Sequence, residues 1–287
     1  MSPVNPMDPI TTGDALKAAE QHIDALDARV LMCHVIGRNT AYLIAHPEVQ
    51  LMPGERVAYY VLVERRAKGE PVAYLTGERE FYGRPFKVSP AVLIPRSETE
   101  LLVDLALERI PQDGAARVID LGTGSGCVAI SLASERLHAK FLALDQSVEA
   151  LAVARRNAVN AQIGNVAFLQ SDWFSALRNE HFDVIVANPP YVAQGDKHLT
   201  EGDVRFEPRI ALDGGADGLD AIRHIVKHAK KHLGPGGWLL FEHGHDQGER
   251  ARLQLHAEGY TEIFTAHDLA GIDRVSAGRL TLQLQVQ

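Results

Sequence analysis

The sequence predicts an α/β protein in which a small all-helical domain and a short β-hairpin linker precede a mostly parallel, seven-stranded sheet. Three observations predict it. Apolar residues at helical spacing fill the first part of the chain, a short stretch rich in glycine and proline follows, and apolar runs then alternate with helical segments. A chain of 287 residues is long enough for two domains. We expect the helical domain, the linker and the sheet domain over residues 1–75, 76–95 and 96–287.

The helical domain and the linker are predicted from apolar periodicity and from capping residues. Ala15–Ile36 indicates one continuous helix, and shorter helices are expected over residues 39–45 and 53–69. Between Leu75 and Pro95 the spacing of apolar residues favours a hairpin. Ser97 and Glu100 fit a capping box, in which each side chain binds a free backbone N–H of the helix start, so a helix to Arg109 is expected.

The sheet domain is predicted from alternating strands and helices, a pattern typical of parallel sheets covered on both faces. Strands are expected over residues 117–121, 140–145, 166–170, 182–187 and 237–242, and helices over 127–136, 148–161, 219–232 and 247–258. Two last strands, near 261–266 and 274–285, arrive close together and are expected to pair antiparallel at the sheet edge.

Composition excludes several classes of protein. Hydrophobic residues make up 46% of the chain and charged residues 23%, as in ordinary globular proteins. The net charge of −8, from 29 basic and 37 acidic residues, disfavours a protein that grips nucleic acid directly. No apolar run reaches the roughly 18 residues of a membrane span. The two cysteines, Cys33 and Cys127, are simplest to interpret as reduced thiols, so we expect a cytoplasmic protein.

A glycine-rich loop follows the first strand of the sheet domain and opens a helix. Its candidate cofactor-binding residues are Asp120, Gly122, Thr123, Gly124, Ser125 and Gly126. Dinucleotide loops space their glycines as G-x-G-x-x-G, whereas this loop reads G-x-G-x-G, which disfavours a nicotinamide oxidoreductase. A carboxylate two residues before the first glycine repels a pyrophosphate but attracts an ammonium group. The loop therefore favours S-adenosylmethionine.

Three further residues stand at strand ends, where ligands of open α/β sheets bind. Asp145 ends the second strand, and its carboxylate is suited to the two hydroxyls of a ribose. Asp172 and Trp173 follow the third strand, where an acceptor for an adenine amino group and an aromatic wall are expected. Alone, Asp172 is also typical of a turn cap, and Trp173 is more typical of a core residue; in register with the other strand ends, the cofactor interpretation is favoured.

The tetrapeptide Asn188-Pro189-Pro190-Tyr191 follows the fourth strand. The Asn188 side-chain oxygen and the Pro189 carbonyl can each accept one N–H of a planar nitrogen, which aims its lone pair at a methyl donor. Proline fixes φ and keeps these acceptors aligned, and Tyr191 offers a flat face to a planar group. We predict Asn188, Pro189 and Tyr191 as catalytic, and all four residues as substrate-binding. The motif leaves open whether the nitrogen belongs to a glutamine amide or to a purine amino group.

These motifs occur together with others in an order that resembles the peptide chain release factor glutamine methyltransferases (the PrmC/HemK family) over essentially the whole chain. The matching segments are Glu80–Gly83, Phe86–Val88, Leu93–Glu100, Asp120–Gly126, Gln170–Phe174, Asn188–Tyr191, Gly202–Pro208 and Phe241–Gly244. Ser97 is a departure, because many members have proline there. Glu98, Thr99 and Glu100 favour the release-factor branch over the sister branch that methylates a ribosomal protein glutamine.

The resemblance implies a Rossmann-like class I fold and transfer of methyl from S-adenosyl-L-methionine to the glutamine of the GGQ loop of class I release factors, with S-adenosyl-L-homocysteine as product. It implies cofactor contacts by residues 122–126, Asp145, Trp173 and Asn188, and a release-factor-binding role for the N-terminal helices. We expect no metal and a monomer. Alternatives are a ribosomal protein glutamine methyltransferase, an adenine-amino methyltransferase of nucleic acid and a non-catalytic adaptor.

Two other segments carry expectations. Glu242-His243-Gly244-His245 invites a metal-site interpretation, but no partner ligands stand at a recognisable spacing, and methyl transfer needs no metal. The long segment 192–217 is rich in glycine, and long irregular segments often serve as lids or binding loops. We expect this segment to cover the substrate glutamine.

Overall fold

The computed structural model describes residues 10–199 and 202–281. The chain forms two compact units, which divide between Glu78 and Arg79. The outer ends of the expected domains, residues 1–9 and 282–287, lie outside the described residues, as does the end of the strand expected over 274–285.

The N-terminal unit consists of five helices in the described part of the chain. They are α1 (Thr12–Ala19), α2 (Ala25–Ile36), α3 (Thr40–Ala45), α4 (Pro53–Ala67) and α5 (Val72–Thr76). Leu31, Met32 and Tyr59 are fully buried between them. The Tyr59 hydroxyl donates to the Ala28 carbonyl at 3.2 Å, which satisfies the one polar atom that this ring brings into the core.

The prediction of one continuous helix over Ala15–Ile36 is wrong. The chain leaves the helix after α1 and starts again at α2, where the Asp24 carboxylate accepts the backbone N–H of Leu26 at 2.8 Å. A short polar side chain at this place satisfies the free backbone groups of a new helix start, and this cap outweighs the continuous apolar periodicity. The cap expected from Asn39 is confirmed, since its side-chain oxygen accepts the Tyr42 N–H at 2.9 Å.

A two-stranded hairpin follows, formed by β1 (Glu78–Phe81) and β2 (Arg84–Lys87). Its two loop residues, Tyr82 and Gly83, have φ of 51° and 68°, as a type I′ turn requires. The loop is tied to the next helix, because the Glu100 carboxylate accepts the Tyr82 N–H at 2.8 Å.

That contact overturns the expected capping box. Glu100 is engaged by the hairpin, and the Ser97 hydroxyl donates to the neighbouring Glu98 carboxylate at 3.0 Å instead of capping a helix. Ser97–Thr99 forms a 3₁₀ turn, and α6 (Glu100–Leu107) starts after it without a side-chain cap. A tertiary partner for Glu100 has therefore replaced the local one that the sequence suggested.

The second unit is built on a seven-stranded sheet. Its strands are β3 (Arg117–Leu121), β4 (Lys140–Asp145), β5 (Val166–Gln170), β6 (Phe182–Ala187), β7 (Leu233–Glu242), β8 (Thr261–His267) and β9 (Asp273–Arg279). The helices that accompany it are α7 (Cys127–Glu135), α8 (Val148–Asn160), α9 (Asp220–Ala229) and α10 (Gly248–Ala257). The predicted α/β architecture is confirmed.

The strand order is β5-β4-β3-β6-β7-β9-β8, with parallel pairing from β5 to β7. The last two strands run antiparallel to their neighbours, as expected, with β8 at the edge and β9 inserted between β8 and β7. Strand β7 begins earlier than predicted, because the segment Gly234-Pro235-Gly236, which has the sequence of a turn, continues the strand through an irregularity in its pairing with β6.

Helices cover both faces of this sheet. Successive strand residues point to opposite faces, so Val118 packs in one buried cluster and Ile119 in another. The first cluster includes residues of α6 and α7, and the second includes residues of α9 and α10. Among the described residues, no helix is both long and apolar enough to cross a membrane.

The sheet order reverses at β3, which pairs with β4 on one side and β6 on the other. Ligands of open α/β sheets bind at such a switch point, outside the carboxyl ends of the strands. Ala187 and Phe241 are paired neighbours, so the residues that follow them, Asn188 and Glu242, lie side by side at the carboxyl edge of the sheet. The fold thus brings the predicted site residues together at the carboxyl edge of the parallel strands.

Candidate active site

The glycine-rich loop joins β3 to α7 at this edge. Gly122, Gly124 and Gly126 have φ of 71°, 55° and 82°, a region that side chains rarely adopt. A Cβ on Gly126 would lie 2.8 Å from Ile130 Cδ1 and 3.1 Å from Ala154 Cβ. Gly126 therefore lets α7 and α8 pack closely, whereas Gly122 and Gly124 line the cavity described below.

Asp120, near the end of β3, places a buried carboxylate beside this loop. Its side chain is 3% exposed, and Oδ2 accepts the Thr123 hydroxyl at 2.6 Å. Burial raises the pKa of Asp120 to about 7, and this effect exceeds the opposing hydrogen bond from Thr123. A carboxylate so short of compensation favours a cationic partner.

Asp145 stands at the end of β4 and is held in place by the loop. Its Oδ2 accepts the Gly124 N–H and its Oδ1 accepts the Ser147 N–H, each at 2.9 Å. Burial raises the pKa of Asp145 despite these two bonds. The remaining lone pairs of both oxygens can accept further hydrogen bonds, as a diol requires.

Trp173 and Asp172 follow β5 but differ in their placement. Trp173 has a φ of 47°, unusual for a large side chain, and the Ser171 hydroxyl donates to its carbonyl at 2.7 Å. Its ring lies 3.8 Å from where a Gly122 Cβ would stand, so it borders the loop and the cavity. Asp172 is exposed and is not among the residues that line this cavity.

A hydrogen-bonded chain links the predicted tetrapeptide to two residues outside it. The Asn188 amide Nδ2 donates to the Thr99 hydroxyl at 3.2 Å, and this hydroxyl donates to Glu242 Oε2 at 2.6 Å. The Tyr191 hydroxyl donates to the other carboxylate oxygen, Oε1, at 3.0 Å. Because Nδ2 is engaged, Asn188 keeps its Oδ1 as the acceptor for a ligand.

Glu242 is the charged centre of this chain. Its side chain is fully buried, and burial raises its pKa to about 7 against the lowering effect of the bonds from Thr99 and Tyr191. Burial also raises the pKa of Tyr191, so this phenol stays protonated and remains a donor. Glu242 is thus a buried carboxylate that accepts two hydrogen bonds, and its charge depends on pH near neutrality.

One cavity gathers most of the predicted residues. It encloses about 870 Å³ of space between the protein atoms, part of it open to solvent. The predicted residues that line it are Asp120, Gly122, Thr123, Gly124, Ser125, Asp145, Trp173, Asn188 and Pro190. Gly126, Asp172, Pro189 and Tyr191 do not line it, and their expected roles stay predictions.

The segment expected to be a lid also contributes to this cavity. Pro208, Ile210 and Ala211 line it, close to the 3₁₀ turns Asp203–Phe206 and Arg209–Ala211. Residues 200 and 201 of the segment lie outside the described residues. Whether this loop covers a substrate glutamine stays a prediction.

An ion pair fastens this loop. Glu207 Oε1 pairs with Arg96 at 2.5 Å, and Glu207 Oε2 accepts the Ile94 N–H at 3.3 Å. The Glu207 side chain is fully buried, and this burial raises its pKa although the Arg96 guanidinium opposes the rise. Arg96 itself lines the cavity, so the pair joins two of its walls.

Sequence reasoning missed Thr99 and Glu242 as site residues. Glu242 ends a buried strand beside the strand that carries Asn188, and this position at a carboxyl edge was the signal that could have identified it. Thr99 lies 89 residues from Asn188 in the chain, so no spacing rule connects the two. Cys127 also lines the cavity, and burial raises the pKa of its thiol to about 12, which keeps it protonated.

The histidine beside Glu242 has internal partners. His243 is fully buried, with Nδ1 at 2.8 Å from the Gly244 carbonyl and Nε2 at 2.9 Å from the Ser276 hydroxyl. Within residues 10–199 and 202–281, no three histidine, cysteine or acidic side chains cluster as metal ligands.

Comparison with known proteins gives two family matches. A model described as "Methyltransferase small domain" matches residues 98–203, and one described as "PrmC N-terminal domain" matches residues 11–77. The first covers the glycine loop and Asn188 to Tyr191, and the second covers the five N-terminal helices.

Relatives match over nearly the whole chain. The release factor glutamine methyltransferase of Burkholderia pseudomallei (strain K96243) is 49% identical over 278 residues, covering 95% of this chain and 97% of the relative. That of Xylella fastidiosa (strain 9a5c) is 47% identical over 264 residues, covering 92% and 96%.

A solved structure shares the fold. The T. thermophilus 16S rRNA N2 G1207 methyltransferase, in complex with AdoMet and guanosine, superposes with a TM-score of 0.52 at 21% identity. The match covers 70% of this chain and 49% of the other. At this identity the likeness is one of fold alone.

Proposed function

The chain belongs to the release factor glutamine methyltransferase family, and from that premise we propose that it methylates the side-chain amide nitrogen of the glutamine in the GGQ motif of class I peptide chain release factors. The methyl donor is S-adenosyl-L-methionine and the product is S-adenosyl-L-homocysteine. The observation that carries this proposal is the Asn188 amide, which has its Nδ2 fixed on Thr99 and its Oδ1 left for a ligand at the edge of the cavity.

The residues of the cavity fit this methyl donor. A ligand with an ammonium group, a ribose diol and a flat base needs carboxylates for the first two and an aromatic surface for the third. Asp120, Asp145 and Trp173 all line the cavity and supply these groups. Gly122 and Gly124, with positive φ, keep the loop free of side chains where the ligand would pass.

The donor supplies an electrophilic methyl: its S–CH₃ bond breaks as the N–CH₃ bond forms, and the sulfonium becomes a neutral thioether. The protein residues hold the nitrogen for this step. Asn188 Oδ1 and the Pro189 carbonyl each accept one N–H of the substrate amide, which fixes the amide plane so that the nitrogen lone pair, perpendicular to that plane, points at the methyl group. The nitrogen gains positive charge as the bond forms, so both hydrogen bonds strengthen in the transition state, and one proton then leaves to solvent.

The other predicted residues keep supporting roles in this proposal. Pro190 lines the cavity and Tyr191 anchors the tetrapeptide through Glu242, while its ring offers a face to the planar amide. Thr123, Ser125, Gly126 and Asp172 complete the cofactor-binding loop and strand ends. No metal takes part, because the sulfonium is already a sufficient electrophile.

We assign the release-factor contact to the N-terminal helices, with domains over residues 1–75, 76–95 and 96–287. The match of residues 11–77 to the PrmC N-terminal domain supports this assignment. We further propose a monomer that works in the cytoplasm, where a release factor meets it, without direct contact to nucleic acid; the net charge of −8 supports the last point.

The test is transfer of labelled methyl from S-adenosylmethionine to a purified release factor. Wild-type release factor should be labelled, whereas a variant with the loop glutamine changed to alanine should not. Asn188→Ala should abolish transfer and leave most cofactor binding, while Asn160→Ala, at the exposed end of α8, should change neither. Equal labelling of both release factors, or labelling of RNA in their place, would reject the assignment.

A further inference from the structure

The orientation of the Asn188 amide depends on the Glu242 carboxylate, which does not line the cavity. A threonine hydroxyl has one hydrogen, and Thr99 donates it to Glu242 Oε2 at 2.6 Å. The same oxygen can then only accept, and it receives the Nδ2–H of Asn188 at 3.2 Å. The direction of the first bond therefore fixes the direction of the second, and with it the face that Asn188 turns to the cavity.

We propose that Thr99 and Glu242 are positioning residues for methyl transfer: ionised Glu242 holds the Thr99 hydroxyl as a donor, and Thr99 thereby holds Asn188 with its Oδ1 toward the substrate amide. This inference rests on the proposed function and specifies how its amide clamp is kept in the active orientation. Neither residue touches the transferred methyl.

Protonation of Glu242 reverses the direction of the hydrogen bonds that join it to Thr99 and Asn188. A protonated carboxyl has one O–H to donate, and when it donates to Thr99 the threonine hydrogen turns to Asn188. Asn188 must then present Oδ1 to Thr99 and Nδ2 to the cavity. Two N–H donors, one from Asn188 and one from the substrate, would face each other, and the substrate nitrogen would lose its acceptor.

The surroundings of Glu242 make this change accessible near neutral pH. Its pKa is raised to about 7, first by burial and also by the nearby Glu98 carboxylate, while Arg274 on β9 lowers it. The Cys127 thiol at the start of α7 faces the same region, but it stays protonated because burial raises its pKa to about 12. Tyr191 likewise stays neutral, so Glu242 is the group of this cluster that titrates there.

The experiment compares three variants with wild type at saturating cofactor over pH 5.5 to 9. Thr99→Val removes the hydroxyl at nearly constant volume and should lower kcat by about 10- to 100-fold, the cost of one lost and one mispaired hydrogen bond. Thr99→Ser keeps the hydroxyl and should restore most of the rate. Thr265→Val, which removes a β8 hydroxyl bonded to Ser276 at 2.8 Å, is the matched control and should behave as wild type.

The pH profile separates positioning from mere packing. Wild type and Thr99→Ser should lose kcat as pH falls through about 7, because the protonated state of Glu242 misdirects Asn188. Thr99→Val and Glu242→Gln should lack this acid limb, since the first breaks the link and the second has no group to titrate. In ¹⁵N spectra, the Asn188 side-chain resonance should shift over the same pH range in wild type and stay constant in Thr99→Val.

Each outcome decides the proposal. Full kcat in Thr99→Val, or an acid limb shared unchanged by wild type and Glu242→Gln, would overturn the positioning role and leave the proposed function standing. Absence of transfer to release factor by the wild-type enzyme would overturn the proposed function and the positioning role together. Cofactor binding by titration calorimetry confirms that each variant is folded, because the glycine loop and Asp145, on which that binding chiefly depends in this proposal, belong to other elements of the fold than Thr99 and Glu242.

Discussion

The buried carboxylate of Asp120 leads to a prediction about the stability of the ligand-free protein, which can be tested without any substrate. Replacement by asparagine keeps the shape of the side chain and an oxygen for the Thr123 hydroxyl, but removes the charge. The carboxylate is 3% exposed and burial raises its pKa from 3.8 to about 7. We expect Asp120→Asn to stabilise the ligand-free fold at alkaline pH while it weakens cofactor binding.

The sign and size follow from proton linkage. The folded state holds the Asp120 proton up to about pH 7, whereas the unfolded chain releases it near 3.8. The stability that this group confers is thus complete below pH 3.8 and falls as pH rises toward 7. At about 1.36 kcal/mol per unit of pKa shift, the loss is on the order of 4 kcal/mol at pH 8. At about 2–4 °C per kcal/mol, Asp120→Asn should raise Tm there by on the order of 10 °C.

The assay is thermal unfolding of wild type and Asp120→Asn at pH 5, 6, 7 and 8. The difference in Tm between the two should be smallest at pH 5, grow up to about pH 7 and then level off, and S-adenosylmethionine should shrink it by stabilising wild type more than the variant. Asp183→Asn, an exposed carboxylate on β6, is the control and should give no pH-dependent difference. Parallel curves of Tm against pH for wild type and Asp120→Asn would refute the reasoning.

Three further changes test other parts of the site. Gly126→Ala places a Cβ 2.8 Å from Ile130 Cδ1 at a φ of 82°, so urea denaturation should show a loss of about 2–4 kcal/mol. Arg96→Met leaves the buried Glu207 carboxylate without its cation and should cost about 3–5 kcal/mol; unless an added Glu207→Gln recovers much of that loss, the ion pair is not the cause. Asp145→Asn should weaken cofactor binding by about 10- to 100-fold in calorimetry, because a charged acceptor of the ribose is lost; unchanged affinity would remove Asp145 from the cofactor site.

The central strands of the sheet were predictable because they are buried on both faces. Val184 to Ala187 is a continuous apolar run, as parallel strands covered by helices require, and the strand predicted over 182–187 has the bounds of β6. The helix boundaries were harder to predict, because they depend on which partner a polar side chain binds, and the sequence does not show that. The break between α1 and α2 goes with the Asp24 carboxylate, which caps α2, and the capping box is lost because the Glu100 carboxylate binds the hairpin loop instead.

The residues of the site likewise divide into those that the sequence predicts and those that only the structure identifies. Asp120, Asp145 and Asn188 were predictable because each lies at or beside the carboxyl end of a strand, and the parallel sheet brings those ends together. Thr99 precedes a helix in another part of the unit, and it reaches Asn188 only through the packing of that helix against the sheet. A hydrogen bond across 89 residues carries no periodic signature, so the residues that orient the amide were found only in the structure.

Two buried carboxylates, Asp120 and Glu242, have pKa values raised to about 7, and both must be ionised for the proposed reaction. Their pH dependence is nevertheless separable. The ammonium of a bound cofactor would compensate Asp120 and lower its pKa, so saturation with cofactor removes its share of the acid limb. Among the described residues, the Glu242 side chain accepts hydrogen bonds from Thr99 and Tyr191, and neither is a cation that would lower its pKa as the ammonium does for Asp120. The acid limb that persists in kcat at saturation therefore reports Glu242, while the limb in kcat/KM for the cofactor reports both carboxylates.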